Sequence, residues 1–546
     1  MTLNRPSNLP YAVASVQSLS IVAQNFAQAS QFFTLSRTLA LLRARGTLQA
    51  RNSCAERPMT DQLVLPPDPD SAHGLLTAPP PLRRLFCNRT LNLRSIKVIG
   101  YDMDYTLIHY HADEWEGRAY AHLRQRLLAQ GWPVEHLVFE PDRVQRGLVI
   151  DKQLGNILKV NRFGYIKQSM HGTRMLTMDE QRQSYGRTLV DLADSARYVF
   201  LNTLFEVSEG CMFAQLVELL DQRLLPETLG YEALYRRVRF TLDRAHVEGE
   251  LKAEILADPD RYVAIDEELP LALVDQREAG KKLLLITNSE WSYTQAMMSY
   301  AFDRFLPEGQ TWRDLFSYVV VSARKPGFFS AQALMFEVME DTGMLRLAEG
   351  DLQVGKVYFG GNADRLEKTL GVDGDQIMYV GDHMLTDVLN SKKLQQWRTA
   401  LILRELEAEL EAQLKWAPKQ KQIDALMAEK GALEFQFSQL RAQRQRQRLG
   451  YGPILTTVAA TTEAMNDLRE RMIALDARVA PMVAAAGQIH NRHWGLLMRT
   501  GNDKSLLARQ IEHHADIYTS RVSNFLYETP FVFLRSLRGS LPHDPE

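Results

Sequence analysis

The sequence predicts an α/β fold built on a doubly wound parallel sheet, and three observations support that class. Short, almost continuous apolar runs recur along the chain, as in strands that are buried on both faces. Helical stretches lie between the runs, and each run ends in a polar cluster, where the ligands of such sheets bind. The runs are residues 96–101, 283–286, 318–321, 357–359 and 377–380.

The composition is that of an ordinary globular protein, with 45% hydrophobic and 24% charged residues in a chain of 546. The formal net charge of −2 gives no indication of a nucleic-acid partner. The chain has no run of about 18 apolar residues, so no membrane partner is expected. Cys54, Cys87 and Cys211 are too scattered for a disulfide framework or a zinc site. We therefore expect a reducing compartment and a cytoplasmic location.

Residues 1–82 are expected to lie outside the folded part of the chain. No acidic residue precedes Glu56, and a cluster of prolines between 66 and 81 indicates a linker. The basic stretch before it has two interpretations. It is either an organellar transit peptide or a disordered segment that precedes the true start at Met59. The second is favoured because the stretch shows no globular pattern.

The first and second apolar runs are separated by about 180 residues, too many for one crossover connection, so an inserted domain is expected between them. We place this cap domain at 112–275, which leaves 83–111 and 276–402 as the core. Residues 403–546 are expected to form a helical extension that packs on the core, because Leu403, Leu406, Leu410 and Leu414 follow a helical spacing. An intramolecular hairpin is the favoured arrangement, and self-association into a homo-oligomer stays open.

Two carboxylates follow the first apolar run, in the segment Tyr-Asp-Met-Asp-Tyr-Thr-Leu at 101–107. Asp102 and Asp104 are separated by one residue, and two close carboxylates repel unless a cation lies beside them. Oxygen ligands of this kind suit Mg²⁺. Taken alone, the pair also fits a turn with two solvated aspartates.

Three further polar clusters follow later runs. Thr287, Asn288 and Ser289 offer hydroxyl, amide and N–H groups that can hold phosphate oxygens. Lys325 can supply a counter-charge for phosphate, and Asp382 and Asp387 add two more carboxylates. Each cluster alone fits ordinary turn chemistry. Their joint presence, each at a strand end, predicts a phosphate-handling site.

The order Asp-x-Asp-x-Thr, Thr/Ser, Lys and Gly-Asp-x-x-x-x-Asp resembles the haloacid dehalogenase-like phosphohydrolases. The sequence is most similar to their cytosolic purine 5′-nucleotidase branch. That resemblance covers about residues 85–540, and residues 1–82 lie outside it. The stretches that carry it are 88–91, 101–107, 155–160, 171–172, 201–205, 323–326, 379–383, 391–394, 397–399, 499–501 and 515–518.

The resemblance implies a role for each strand-end residue. Asp102 would be the nucleophile and become a transient aspartyl-phosphate, while Asp104 would act as general acid and base. Mg²⁺ would be held by Asp102, Asp104 (through its backbone carbonyl) and Asp382, and Asp387 would orient water beside the ion. The phosphoryl oxygens would be held by Thr287, Asn288, Ser289 and Lys325.

The resemblance also points to substrate contacts in the cap. Arg239, Asp243 and His246 share one face of a predicted helix. A solvated ion pair is the plain interpretation of that spacing. In the family, Arg239, Asp243 and Lys252 fall at substrate-contact positions, and Phe205 would stack on a base. The chain departs from the family at Glu206, where Asn is usual, and at Val247, where an aromatic is usual. An ionised carboxylate donates no hydrogen bond, so the base preference is expected to differ.

The function predicted from the sequence is a magnesium-dependent 5′-nucleotidase that hydrolyses purine nucleoside 5′-monophosphates through an aspartyl-phosphate, with phosphotransfer to a second nucleoside as an added activity. Two alternatives stay open. One is a phosphatase of another phosphometabolite. The other is an interaction scaffold that uses its helical tail, which the intact set of strand-end residues disfavours.

Overall fold

A computed structural model describes residues 78–226, 229–247, 249–340 and 342–539. Most of the N-terminal segment and linker predicted at 1–82 therefore lies outside the described residues. The central sheet has ten strands, and we number them in chain order. They are Phe86–Cys87 (β1), Val98–Tyr101 (β2), Lys282–Ile286 (β3), Tyr318–Val321 (β4), Met335–Val338 (β5), Leu345–Leu347 (β6), Val357–Gly360 (β7), Ile377–Gly381 (β8), Arg398–Ile402 (β9) and Ile517–Thr519 (β10).

The spatial order of the central sheet is β1-β10-β9-β8-β2-β3-β4-β7-β5-β6. Seven neighbouring strands, from β10 to β7, are parallel. The strands at the two edges, β1 at one and β5 and β6 at the other, pair antiparallel. The prediction of a parallel sheet is therefore correct for the centre and wrong for the edges. The sequence did not predict the edge strands, because they are short and carry no long apolar run.

Thirteen α-helices occur among the described residues. They are Ala112–Ala129 (α1), Met178–Tyr185 (α2), Val207–Asp221 (α3), Tyr231–Val247 (α4), Glu250–Ala257 (α5), Pro259–Tyr262 (α6), Leu269–Glu278 (α7), Trp291–Phe302 (α8), Ala363–Leu370 (α9), Asn390–Gln395 (α10), Leu406–Leu449 (α11), Val458–Ala486 (α12) and Leu506–His514 (α13). None of these helices has the length and apolar character needed to cross a membrane. A π-helix over Met384–Leu389 leads from the end of β8 into α10.

The chain between β2 and β3 forms its own antiparallel sheet. Its five strands, in spatial order, are Arg174–Met175, Ile166–His171, Asn156–Val160, Val149–Asp151 and Tyr198–Phe200. Helices α1, α3 and α4 pack beside it around Trp132, Phe213 and Leu234. The chain enters and leaves this region through a two-stranded ladder that pairs His109–Tyr110 with Val263–Ala264.

Every residue of the strands Val149–Asp151 and Asn156–Val160 is buried. Successive side chains of a strand point to opposite sides, so both faces of the sheet are covered there. Ile150 and Ile157 pack toward α3. Val149 and Leu158 face the other way and pack with Leu507 of α13.

The C-terminal part begins with two long helices, α11 and α12, which pack against each other as a hairpin. The expected helical extension at 403–546 also contains strands. Ile517–Thr519 enters the central sheet as β10, and Arg499–Thr500 pairs with Asp503–Lys504. Describing this part as helical alone is therefore wrong. Three-residue strands give too short an apolar pattern to be distinguished from a turn.

Candidate active site

Four adjacent strands bring the predicted residues to one edge of the sheet. In the order β8-β2-β3-β4, each strand is followed at its carboxyl end by one of the polar clusters. Asp382 follows β8, Asp102 follows β2, Thr287 follows β3, and Lys325 lies four residues beyond the end of β4. Parallel strands present their carboxyl ends at the same edge, so residues far apart in sequence become neighbours.

Lys325 lies at the centre of this cluster. Its Nζ is 2.8 Å from Asp102 Oδ1 and 2.7 Å from Asp387 Oδ1, and it donates to the Tyr379 hydroxyl at 2.9 Å. Burial alone would lower the pKa of Lys325, but the charges of Asp102 and Asp387 raise it well above the usual value. The side chain is therefore a fixed ammonium group, oriented toward the nucleophile predicted from the sequence.

Asp382 is held by two residues from the inserted region. Thr203 donates its hydroxyl to Asp382 Oδ2 at 2.7 Å, and the Arg146 guanidinium donates to the backbone carbonyl of Asp382. Arg146 is itself buried and lies 3.5 Å from Glu405 Oε2. Burial raises the pKa of Asp382 to about 7, an effect that the charge of Arg146 opposes.

The donor set fits a hard divalent cation. Asp102, Asp382 and Asp387 are all buried, and each offers an oxygen that lies within 4.8 Å of the others. Three buried carboxylates so close together repel one another, and Lys325 and Arg146 supply only two positive charges. Oxygen donors alone suit Mg²⁺ rather than a softer metal.

Asp104 is not one of these three clustered carboxylates, and each of its two carboxylate oxygens accepts a hydrogen bond. The Tyr110 hydroxyl donates to Asp104 Oδ1 at 2.5 Å, and the Ser289 hydroxyl donates to Oδ2 at 2.7 Å. The Tyr110 oxygen is also 3.0 Å from the hydroxyl oxygen of Tyr293. These contacts fix the carboxylate at the edge of the cluster, where it can exchange a proton with a bound group.

Thr287 and Asn288 use their side chains to shape the loop that follows β3. Thr287 is fully buried, and its Oγ1 accepts from the Ser289 N–H at 3.0 Å. Asn288 exchanges two hydrogen bonds with the backbone of Lys325, accepting from its N–H at 2.6 Å and donating to its carbonyl at 3.1 Å. Asn288 therefore joins the β3 and β4 loops and places Lys325.

The site residues predicted in the inserted region fall into two groups. The Lys252 ammonium donates to the Ser289 hydroxyl at 3.2 Å and to Glu290 at 2.8 Å, so it reaches the edge of the cluster. Phe205 belongs to an aromatic group, packing edge-on against Tyr105 at 4.5 Å and Trp115 at 5.5 Å between ring centroids.

Arg239 and Asp243 form part of an ion-pair network in the inserted region. Arg239 lies 2.7 Å from Glu209, 3.5 Å from Glu206 and 3.4 Å from Asp243. The Glu206 carboxylate accepts from the backbone N–H groups of Asn202 and Thr203, so it caps a short helix. Burial raises the pKa of Glu206 to about 7. Glu206, where the sequence departs from the family pattern, therefore has Arg239 and two backbone N–H groups as partners for its carboxylate. The side chains of His246 and Val247 lie outside the described residues.

Three residues of the site had no sequence signal that singled them out. Arg146, Thr203 and Tyr110 contact Asp382 or Asp104, yet none of them follows a strand of the central sheet in a recognisable motif. Thr203 lies inside the stretch 201–205 that carries the family resemblance, which was the one available indication.

Comparisons with known proteins place the chain in a family. A relative from Dictyostelium discoideum, a 5′-nucleotidase domain-containing protein, is 26% identical over 480 residues, which are 84% of this chain and 74% of the relative. Among solved structures, CbbY from Rhodobacter sphaeroides in complex with phosphate is similar at 13% identity and a TM-score of 0.20. The match covers 56% of this chain and 86% of CbbY. The model of the 5′ nucleotidase family matches residues 85–546. The chain therefore belongs to the 5′ nucleotidase family and is a phosphoric monoester hydrolase.

Proposed function

We propose that this protein is a magnesium-dependent 5′-nucleotidase that hydrolyses purine nucleoside 5′-monophosphates through an aspartyl-phosphate. One observation carries the proposal. Asp102 is a buried carboxylate 2.8 Å from the Lys325 ammonium, within a group of three carboxylates that suits a divalent cation. A nucleophile, a counter-charge and a metal site meet at one edge of the sheet.

The chemistry assigned to these residues has two steps. In the first, an Asp102 oxygen forms a bond to phosphorus as the bond to the ribose 5′ oxygen breaks, and Asp104 gives its proton to that oxygen. In the second, Asp104 takes a proton from water, which attacks phosphorus and releases Asp102. Lys325 and the N–H groups of the β3 loop hold the phosphoryl oxygens throughout.

Mg²⁺ held by Asp102, Asp382 and the Asp104 carbonyl would neutralise phosphate charge so that an anion can approach it. Asp387, which contacts Lys325, would orient that ammonium group and water beside the ion. The cap supports a nucleotide as the substrate, since Phe205 offers an aromatic ring and Lys252 offers a charge near the Ser289 hydroxyl. Arg239 and Asp243 would complete the base or ribose contacts. The three scattered cysteines favour a reducing compartment, and we propose a cytoplasmic location.

The test of the mechanism is Asp102→Asn, with the exposed Asp373→Asn as matched control. We expect Asp102→Asn to lose phosphate release from inosine monophosphate by at least about 10⁴-fold and to yield no acid-stable phosphoprotein, while Asp373→Asn keeps both. Phosphate release by Asp102→Asn at the parent rate would disprove the mechanism.

The test of the substrate is a panel of nucleotides and sugar phosphates, assayed with Mg²⁺. We expect kcat/KM to be highest for purine nucleotides. A preference for sugar phosphates over all nucleotides would replace the nucleotidase with a phosphatase of another phosphometabolite. Calorimetry that detects no Mg²⁺ binding would favour the scaffold alternative instead.

A further inference from the structure

The hairpin of α11 and α12 extends away from the residues that build the site. Helix α11 has 44 residues, so it is about 66 Å long. In its distal half the buried apolar residues contact only the neighbouring helix, in a small cluster of Leu433, Leu468 and Leu475 with partly buried residues of the same two helices. The far end of the hairpin is thus held by its own packing.

The tip of this hairpin exposes apolar side chains. Residues 448–460 are all exposed, and the large apolar ones among them are between 47% and 77% exposed. They are Leu449, Tyr451, Ile454, Leu455 and Val458. Scattered exposed apolar residues are common on protein surfaces, but five within ten consecutive positions form a patch that marks an interaction surface.

The tip has a defined shape. Helix α11 ends at Gly450, which has a left-handed φ of 69°, and Gly452 follows with 67°. Gln445 donates to the Tyr451 hydroxyl at 2.9 Å, and Gln447 donates to the Thr456 carbonyl at 2.7 Å. These hydrogen bonds and the two left-handed glycines give the turn a defined backbone course, and its apolar side chains are exposed to solvent.

The same end of the hairpin is strongly basic. No acidic residue occurs between Glu434 and Glu463, whereas the last turns of α11 carry Arg441, Arg444, Arg446 and Arg448. None of these four arginines pairs with an acidic group of the described residues. These four arginines, in the turns of α11 that precede the apolar turn, thus give that end of α11 a local positive charge.

The exposed apolar turn and the arginines beside it together narrow the kinds of partner that the tip can bind. A second copy of the chain would bring four arginines against four arginines, which repel. The N-terminal segment has no acidic residue before Glu56 and does not complement the tip either. Nucleic acid would satisfy the arginines and leave Ile454 and Leu455 in water. An anionic bilayer satisfies both, because apolar side chains enter the headgroup region while arginines contact lipid phosphates.

We propose that the hairpin tip, Leu449 to Val458 with the arginines that precede it, is a docking site for anionic membrane surfaces. The proposal concerns peripheral contact and does not depend on the proposed nucleotidase function. It modifies the sequence-based expectation of no membrane partner, which considered only segments that could span a bilayer. Such contact would hold the enzyme at a lipid surface through the tip of its hairpin.

The test is cosedimentation of the full chain with vesicles, either of phosphatidylcholine alone or of phosphatidylcholine and phosphatidylglycerol in equal parts. We expect binding to the anionic vesicles only, weakened by added salt because the charges are exposed. The double variant Arg444→Gln/Arg448→Gln should lose about 25-fold in partitioning, since each arginine contributes roughly fivefold. Ile454→Ser/Leu455→Ser should lose at least about tenfold.

The matched control is Ile473→Ser, which alters an exposed apolar residue on the shaft of α12. It should bind as the parent does, and all variants should keep the parent phosphatase activity as evidence of folding. Failure of the parent to bind anionic vesicles, or unchanged binding by the tip variants, would overturn the proposal. A change in sedimentation-equilibrium mass of the lipid-free tip variant would instead identify the tip as a contact between copies.

Discussion

Tyr110→Phe tests how the acid–base residue is placed. The Tyr110 hydroxyl donates to Asp104 Oδ1 at 2.5 Å, and Tyr110 itself is held in the ladder that leads into the inserted region. A hydrogen bond to a charged group contributes about 1.5–3 kcal/mol. If the proposed role of Asp104 is correct, losing this bond should lower kcat/KM for a nucleotide by roughly 10- to 150-fold.

The assay compares two substrates that differ in their need for an acid. The ribose 5′ oxygen of a nucleotide is a poor leaving group and needs a proton, whereas the aryl oxygen of para-nitrophenyl phosphate leaves without one. We measure kcat/KM, which reports only steps up to the release of that group. Tyr110→Phe should therefore lose much less on para-nitrophenyl phosphate than on the nucleotide.

The matched control is Tyr293→Phe, which removes the neighbour 3.0 Å from Tyr110 and leaves the bond to Asp104 in place. Its loss should stay within about fivefold. A partly unfolded variant would lose activity on both substrates alike, so the ratio between them is insensitive to folding. Equal losses on the two substrates would refute the placement of Asp104 by Tyr110.

Three further predictions follow from buried groups. Arg146→Gln should raise the Mg²⁺ concentration for half-maximal activity by about 10- to 100-fold, because Arg146 orients Asp382; exposed Arg182→Gln should not. Burial raises the pKa of Glu116 from 4.5 to about 8, so the folded state binds more protons than the unfolded state across that window and stability falls as the pH rises through it. Chemical denaturation should therefore show Glu116→Gln gaining on the parent from about pH 5 to about pH 9, by at most about 1.4 kcal/mol per pH unit, and a constant difference would contradict this. Leu507→Ala should cost about 2–5 kcal/mol of unfolding free energy, against almost nothing for exposed Leu537→Ala, as measured in urea.

The central strands could be predicted closely from the sequence. The run at 318–321 coincides with β4, and the run at 283–286 misses β3 by only its first residue. Strands that are buried on both faces must be apolar at every position, and that requirement leaves a clear trace. β10 left no such trace, because it has three residues and is defined by its pairing with β9.

The sequence predicted those residues of the candidate site that belong to local motifs at strand ends. Asp102, Lys325 and Asp382 follow strands, so the geometry of the sheet brings them together. Arg146 and Thr203 approach Asp382 from loops next to strands of the second sheet, and their place depends on how that sheet packs on the core. No local pattern encodes such packing. The ion pairs of Glu206 likewise depend on the fold of α4 and are not visible in the sequence.

The burial of the second sheet on both faces bears on how a substrate enters. Val149 and Leu158 share an apolar core with Leu507, while Ile150 and Ile157 share another with α3. A lid that swung as one rigid body would have to break the first of these cores on every turnover. Local movements of α4, α5 and their loops would open access to Asp102 without breaking that first core, so they cost less free energy. The inserted sheet and the C-terminal segment would also melt in one cooperative transition, so neither is expected to fold when expressed without the other.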